Sequence, residues 1–334
     1  ETVAGKGNQN ENPYDWSRPT KQQAAEYCLN RPWNRYPNFT PAELTAALAD
    51  YAGVTPDSVL VGNGSNEMLV VLLMTLMRRD YPVILCQPTF TVYNLLVRAL
   101  GGTPQTVYLT RDMSFDTEAI RREAQAHPGS LLLLCSPNNP TGGALTESRL
   151  REILAVHEGF LLLDQAYVEF GGYDATGLLG EFPNLIITRT CSKAFGCAGL
   201  RMGYTIGNPE IIAETKKAKL SYNINFFSEF VITMLLEHRD EMQQRISTLV
   251  SARRSLMGYL RTLPLERVYT SEANFILVRT AEKQRLFTFL RDRGILIRDV
   301  SSYPMLENCL RISVGTEREN DMLKQSLTTF FEGS

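Results

Sequence analysis

Thr190-Cys191-Ser192-Lys193-Ala194-Phe195-Gly196, with Gly199-Leu200-Arg201-Met202-Gly203 close behind, follows directly on the apolar run Asn184-Leu185-Ile186-Ile187-Thr188. A short apolar run bounded by polar turn residues reads as a buried strand, so a lysine sits where a strand ends. Placed there among small residues and hydroxyls, its amine can be desolvated, its pKa falls, and it becomes nucleophilic. Standing alone, a Ser-Lys pair reads first as a surface lysine in a polar loop. The rest of the chain has to decide.

Working outward, the same strand-then-polar pattern recurs. Pro82-Val83-Ile84-Leu85-Cys86 ends at Gln87-Pro88-Thr89-Phe90, and Ser130-Leu131-Leu132-Leu133-Leu134-Cys135 ends at Ser136-Pro137-Asn138-Asn139-Pro140-Thr141-Gly142. Gly159-Phe160-Leu161-Leu162-Leu163 ends at Asp164-Gln165-Ala166-Tyr167. Helical patterns lie between them, residues 146–157 among these. Continuous apolar strands separated by helices predict an α/β fold whose mostly parallel sheet is covered on both faces. Ligands of such sheets bind at the C-terminal strand ends, where the polar groups quoted above gather. A buried Asp closing an all-leucine strand is costly unless a cation or hydrogen-bond donor meets it.

Upstream, the strand Ser58-Val59-Leu60-Val61 runs through Gly62-Asn63-Gly64-Ser65-Asn66-Glu67 into an apolar helix. Free N–H groups at that helix start can cradle an anion, although an ordinary tight turn is the competing reading. No Gly-Lys-Ser/Thr follows, so it is not a nucleoside-triphosphate loop.

The segment up to about Pro41, rich in Asn and Pro, predicts an extended arm rather than a packed element. A helix then starts at Thr40-Pro41-Ala42-Glu43, with Pro at its first position. Beyond Arg201 the pattern changes to helices at 209–219 and 226–263, the latter interrupted near His238. A shorter unit follows, with strands at 274–279, 294–298 and 309–314, a helix at 281–293 and a closing helix from Glu317. We therefore expect a large domain over 38–235 and a small α+β domain formed by 236–334 with the arm, 1–37.

Composition narrows the function. A formal net charge of −2 argues against nucleic acid or an anionic membrane as partner. The longest apolar run, 68–77, is far short of the ~20 residues that span a bilayer. The 6 cysteines show no paired spacing and read as reduced thiols. Only 3 histidines occur, which counts against a zinc site or a Ser-His-Asp triad. Glu1-Thr2-Val3-Ala4-Gly5 shows no basic-then-apolar leader; the reduced thiols lead us to expect a cytoplasmic location, and without a starting Met a trimmed chain is expected.

A single ligand would use all of these groups. Its phosphate would take the Gly64-Ser65 turn, Thr190, Ser192 and Arg201, and its flat ring would stack on Phe90. A protonated ring nitrogen would answer Asp164, a phenolic oxygen would meet Asn139 and Tyr167, and an aldehyde would condense with Lys193. That ligand is pyridoxal 5'-phosphate.

Ser136 to Gly142, Asp164-x-Ala166-Tyr167, and Thr190-x-Ser192-Lys193-Ala194-Phe195 with Gly199-x-Arg201-x-Gly203 resemble the fold-type I, class II aminotransferases. Asn10-Glu11-Asn12-Pro13, Asn34-Arg35-Tyr36-Pro37 and Leu310-Arg311-Ile312-Ser313-Val314-Gly315-Thr316 resemble the histidinol-phosphate branch of that family. The resemblance implies amino-group exchange between glutamate/2-oxoglutarate and histidinol phosphate/imidazole acetol phosphate, with threonine-phosphate decarboxylation or aromatic transamination as rivals. It implies that Lys193, Asp164 and Tyr167 form the catalytic set. Gly64, Ser65, Asn66, Phe90, Asn139, Thr190, Ser192 and Arg201 would help hold the cofactor, Arg311 would grip the substrate's anion, and Asn12 would line the substrate side. Tyr36 would reach the cofactor phosphate of a second copy, making the protein a homodimer with shared sites. Two positions depart from the family: Gln165 replaces the usual Glu, and Asn66 a frequent Asp.

Overall fold

The computed structural model describes residues 3–333; the Glu1-Thr2 part of the leader reading lies outside them. The chain opens with β1 (Gly5–Gly7), α1 (Arg18–Asn30) and α2 (Ala42–Ala52). There follow β2 (Val59–Gly62), α3 (Ser65–Leu76), β3 (Pro82–Gln87), α4 (Thr91–Ala99), β4 (Thr103–Tyr108) and α5 (Thr117–Ala126). Next are β5 (Leu131–Cys135), α6 (Glu147–Leu154), β6 (Leu161–Asp164), β7 (Leu185–Thr190) and β8 (Gly203–Gly207). Three helices, α7 (Pro209–Ala218), α8 (Phe226–Leu236) and α9 (Arg239–Leu260), lead to β9 (Arg267–Val268) and β10 (Phe275–Arg279). The last elements are α10 (Lys283–Asp292), β11 (Ile295–Asp299), β12 (Cys309–Ser313) and α11 (Glu317–Glu332).

Two sheets organise these elements. The larger has 7 strands in the order β2-β8-β7-β6-β5-β3-β4. Strands β3 to β7 pair in parallel, whereas β8 runs antiparallel to both β7 and β2. The central strands β5, β6 and β7 are buried along their whole length, as expected for a sheet covered on both faces. Their parallel register carries Cys135 beside Asp164, and Asp164 beside Thr188, so the strand ends share one edge. The smaller sheet has 5 strands in the order β1-β11-β12-β10-β9.

The arm differs from expectation. Instead of running extended throughout, it adds β1 to the edge of the small sheet and coils into α1. Ser17 caps that helix by accepting from the Thr20 amide, with Pro19 in the first turn. Its apolar signal is weak because Ala24 is its only buried residue, and Tyr27 instead stacks on Phe230 of α8 at 3.6 Å between centroids. Strands β4 and β8 also escaped the pattern. The former is a mostly exposed polar edge, and the latter is a short strand between two glycines. The helix break expected near His238 falls between α8 and α9. All 6 cysteines are free, and among the described residues no helix is long and apolar enough to cross a membrane.

Candidate active site

A cavity of about 350 Å³ opens at the C-terminal edge of the large sheet and is closed from above by the arm and the small sheet. Ser65, Asn66, Phe90, Asn139, Asp164, Tyr167, Thr190, Ser192, Lys193, Arg201 and Arg311 all line it.

Asp164 ends β6 and is buried. One carboxylate oxygen accepts from the Tyr93 hydroxyl at 2.6 Å, and the other from the Ala166 amide at 3.0 Å. Burial pushes its pKa up, and these two hydrogen bonds only partly oppose the rise. A cationic partner in the cavity would relieve that cost.

Lys193 is placed by the turn after β7. Its Nζ donates to the Gln9 carbonyl at 3.0 Å and lies 5.9 Å from the centroid of the Tyr167 ring. Its pKa is lowered to about 8, chiefly by burial and then by the charges of Arg311 and Arg201, with Glu11 opposing them. The desolvated amine expected from the sequence is thus supported by its surroundings.

An electropositive corner lies where α3 begins. Gly64 holds φ 88°, and a Cβ there would come within 2.9 Å of Arg201 Nη2. A Cβ on Gly203 would strike the Ser65 amide, so the two turns interlock only as glycines. Arg201 itself takes a left-handed φ of 51°, a costly conformation for a non-glycine residue. It donates to Ser192 Oγ at 3.3 Å and to the Ala198 carbonyl at 3.1 Å. The Ser192 amide in turn donates to Thr190 Oγ1 at 3.1 Å. Amides at a helix start, two hydroxyls and a guanidinium make a seat for a phosphate dianion.

On the opposite wall, Asn139 Oδ1 accepts from Arg311 Nη1 at 2.5 Å, and Arg311 Nη2 donates to the Asn8 carbonyl at 2.9 Å. Arg311 Nε is buried with no hydrogen-bond partner among the described residues. The Tyr167 hydroxyl accepts from Asn10 Nδ2 at 3.1 Å, and its pKa is raised by burial. Phe90 packs edge-on against Tyr93 at 5.5 Å between centroids. The residues therefore fit pyridoxal phosphate: hydroxyls, amides and a guanidinium that would seat its phosphate, an acid that would answer a protonated ring nitrogen, Asn139 and Tyr167 that would meet a phenolic oxygen, and a desolvated amine that would meet its aldehyde.

Three expected residues are not part of this lining: Gly64, which packs against Arg201, Asn12, and Tyr36, which was expected at the site of a second copy. Asn12 does not line the cavity: its Nδ2 donates to the Ala194 carbonyl at 3.0 Å, and its Oδ1 accepts from the Tyr14 amide at 3.0 Å. The Nδ2 bond fastens the arm beside Lys193, and the Oδ1 bond turns the arm on itself. Tyr36 is 82% exposed, outside the cavity, and stacks on Tyr222 at 4.7 Å between centroids. Nine lining residues were not foreseen, Asn10, Tyr93, Arg298 and Tyr303 among them. Arg298 lies directly across from Arg311 in the β11–β12 register, a proximity that no local motif encodes. Asn10, at a left-handed φ of 54°, was within reach, since it begins the quoted Asn10-Glu11-Asn12-Pro13 motif.

The sequence profile of the family "Aminotransferase class I and II" matches residues 8–327. A histidinol-phosphate aminotransferase of Prosthecochloris aestuarii is 36% identical over 321 residues, covering 96% of this chain and 90% of that protein. The crystal structure of the histidinol-phosphate aminotransferase from Clostridium acetobutylicum superposes with a TM-score of 0.90 at 23% identity, covering 98% of this chain and 99% of that one. That of the Sinorhizobium meliloti enzyme, in complex with pyridoxal-5'-phosphate, gives a TM-score of 0.88 at 23% identity over 99% of this chain and 91% of that one.

Proposed function

Because the chain belongs to the class I and II aminotransferases, we propose that it exchanges an amino group between glutamate/2-oxoglutarate and histidinol phosphate/imidazole acetol phosphate. The observation that carries the choice of substrates is the pair Arg298 and Arg311, opposite one another in register and both lining the cavity. Two guanidiniums suit partners that both bring anions, a dicarboxylate in one half of the cycle and a phosphate in the other.

The cofactor is pyridoxal 5'-phosphate, which supplies a carbonyl that captures amines and a ring that accepts electrons from the carbon carrying them. Lys193 would hold it and, once released as a neutral amine, move a proton at the substrate's amino-bearing carbon. A pKa near 8 keeps an appreciable neutral fraction at physiological pH. Asp164 would keep the ring nitrogen protonated, itself oriented by Tyr93 and the Ala166 amide. Ser65, Asn66, Thr190, Ser192 and Arg201 would anchor the phosphate, with Gly64 leaving room for Arg201. Asn139 and Tyr167 would fix the phenolic oxygen, and Phe90 would cover a ring face. Arg311 would grip the substrate's anion, while Asn139 and the arm's carbonyl at Asn8 hold its fork in place.

Residues 38–235 would form the cofactor-binding domain, and 1–37 with 236–334 the arm and small domain. The exposed Trp33, Tyr36, Phe39, Leu220 and Tyr222 support a second copy of the chain as partner, with Tyr36 reaching the cofactor phosphate of that copy. Free cysteines support a reducing, cytoplasmic setting.

The test supplies glutamate alone to the loaded enzyme. One equivalent of 2-oxoglutarate per site is expected, followed by turnover when imidazole acetol phosphate is added. Release of carbon dioxide without 2-oxoglutarate would instead indicate a decarboxylase. An aromatic 2-oxo acid used as well as the phosphate ester would indicate an aromatic transaminase.

A further inference from the structure

Behind β7, on the face turned away from the cofactor cavity, lies a group of polar side chains built around the buried Arg189 and Gln165, with no role in the chemistry above. Arg189 of β7 is 2% exposed and stands directly across from Tyr204 of β8, which is 0% exposed. Glu169 follows β6 in the short turn Val168–Phe170. Arg189 Nη2 donates to Gln165 Oε1 at 3.0 Å and pairs with Asp174. Gln165 Nε2 donates in turn to the Tyr173 carbonyl at 2.7 Å.

Among the described residues, four atoms of this group make no hydrogen bond of normal geometry: both carboxylate oxygens of Glu169, Arg189 Nε and the Tyr204 hydroxyl, although the last lies close enough to Arg189 to act on it as a hydrogen-bond partner. All four are sealed from bulk solvent, and no ion pair within 4.0 Å joins Glu169 to Arg189 among the described residues. The groups are nonetheless neighbours, since the charges of Glu169 and Arg189 and the Tyr204 hydroxyl act on one another. Folded proteins rarely leave buried donors and acceptors unmade, and a carboxylate held apart from a guanidinium beyond contact distance is commonly bridged.

We propose that this group is a binding site for internal water, with at least one molecule donating to the Glu169 carboxylate and accepting from Arg189 Nε or the Tyr204 hydroxyl. Buried waters typically make about three such bonds, which matches the donors and acceptors left here. The site completes a brace under the reactive centre. Gln165 adjoins Asp164, Arg189 adjoins Thr190 and the turn to Lys193, and the Arg189–Gln165 bond ties these two strand ends together. Asp174 pairs with the guanidinium directly and Gln165 is its neutral partner, so Glu169, reached through water, completes the surroundings of Arg189. The site is independent of the amino-transfer reading.

A crystal structure of the loaded enzyme at about 1.8 Å or better tests it directly. We expect an ordered water within hydrogen-bonding distance of Glu169 and of Arg189 or Tyr204. Direct contact of Glu169 with Arg189 or Tyr204, with no water between, overturns the proposal. Melting temperatures give a second reading. Glu169→Gln, which still binds water, should melt within about 2 °C of wild type, whereas Glu169→Leu, which expels it, should lose about 4 °C or more. Equal melting of Glu169→Leu and wild type would also overturn it.

Discussion

The two walls of the cavity are built in different ways. The wall proposed for the cofactor comes from neighbouring strand ends of one sheet, so Asp164 and Thr190 are placed by the parallel strands β6 and β7, and Lys193 by the turn that follows β7. The substrate wall is assembled from distant parts: the arm supplies Asn8 and Asn10, β11 supplies Arg298, and β12 supplies Arg311. Its groups are held by bonds spanning most of the chain, such as Arg311 to the Asn8 carbonyl and the Asn10 amide to Ser313 Oγ. A wall set by sheet register resists substitution elsewhere and fails sharply when its own groups change. A wall set by long-range bonds is graded and adjustable.

That contrast can be broken by mutation. Asp164→Asn should cost roughly 10²–10³-fold in kcat, the scale for losing a preorganised charge at the reacting centre, with a small change in KM for glutamate. A residual activity near wild type would remove the cofactor wall's claim to rigidity. Arg311→Lys should cost about 10- to 100-fold in kcat/KM for both amino donor and acceptor, because a lysine cannot reproduce the fork. An unchanged KM for glutamate would move the anion grip elsewhere, with Arg298 next in line.

The pH dependence of stability sharpens the comparison further. Lys193 falls from 10.5 unfolded to about 8 in the fold, so between these values the unfolded chain binds the extra proton. The cofactor-free protein should therefore gain stability as pH rises from about 8 to 10.5. Lys193→Met should flatten that slope in melting curves; an identical slope would show that the lysine is not desolvated. The smallest effect is expected for Asn12→Ala. It loosens the arm's bolt to Ala194 and should cost about 1 kcal/mol of stability, with kcat within a few-fold of wild type. A large loss of substrate affinity there would return Asn12 to the substrate side.

The same division governs what could be read from the sequence. Apolar runs such as Leu131 to Leu134 gave their strands away because both faces are buried, and the polar stretches that follow three of them supply Asn139, Asp164 and Thr190 to the cavity. Local motifs therefore revealed the cofactor wall almost residue by residue. The edge strand β4 and helix α1 bury too little to leave a periodic signal. Arg298 was hidden because its meaning comes from standing across from Arg311, which depends on antiparallel register between strands separated by a loop. Tyr93 was hidden because helix α4 turns its hydroxyl onto Asp164 from another part of the chain. The motif containing Asn12 was visible, but which of its asparagines faces the cavity depends on the left-handed turn at Asn10.

The central claim is that Lys193 carries the cofactor. Borohydride treatment of the loaded enzyme, followed by proteolysis and mass spectrometry, tests it most directly. The account expects the mass of reduced pyridoxal phosphate on the peptide containing Lys193, and its loss in Lys193→Ala. A label on another lysine, or no label on a coloured and active enzyme, would contradict it.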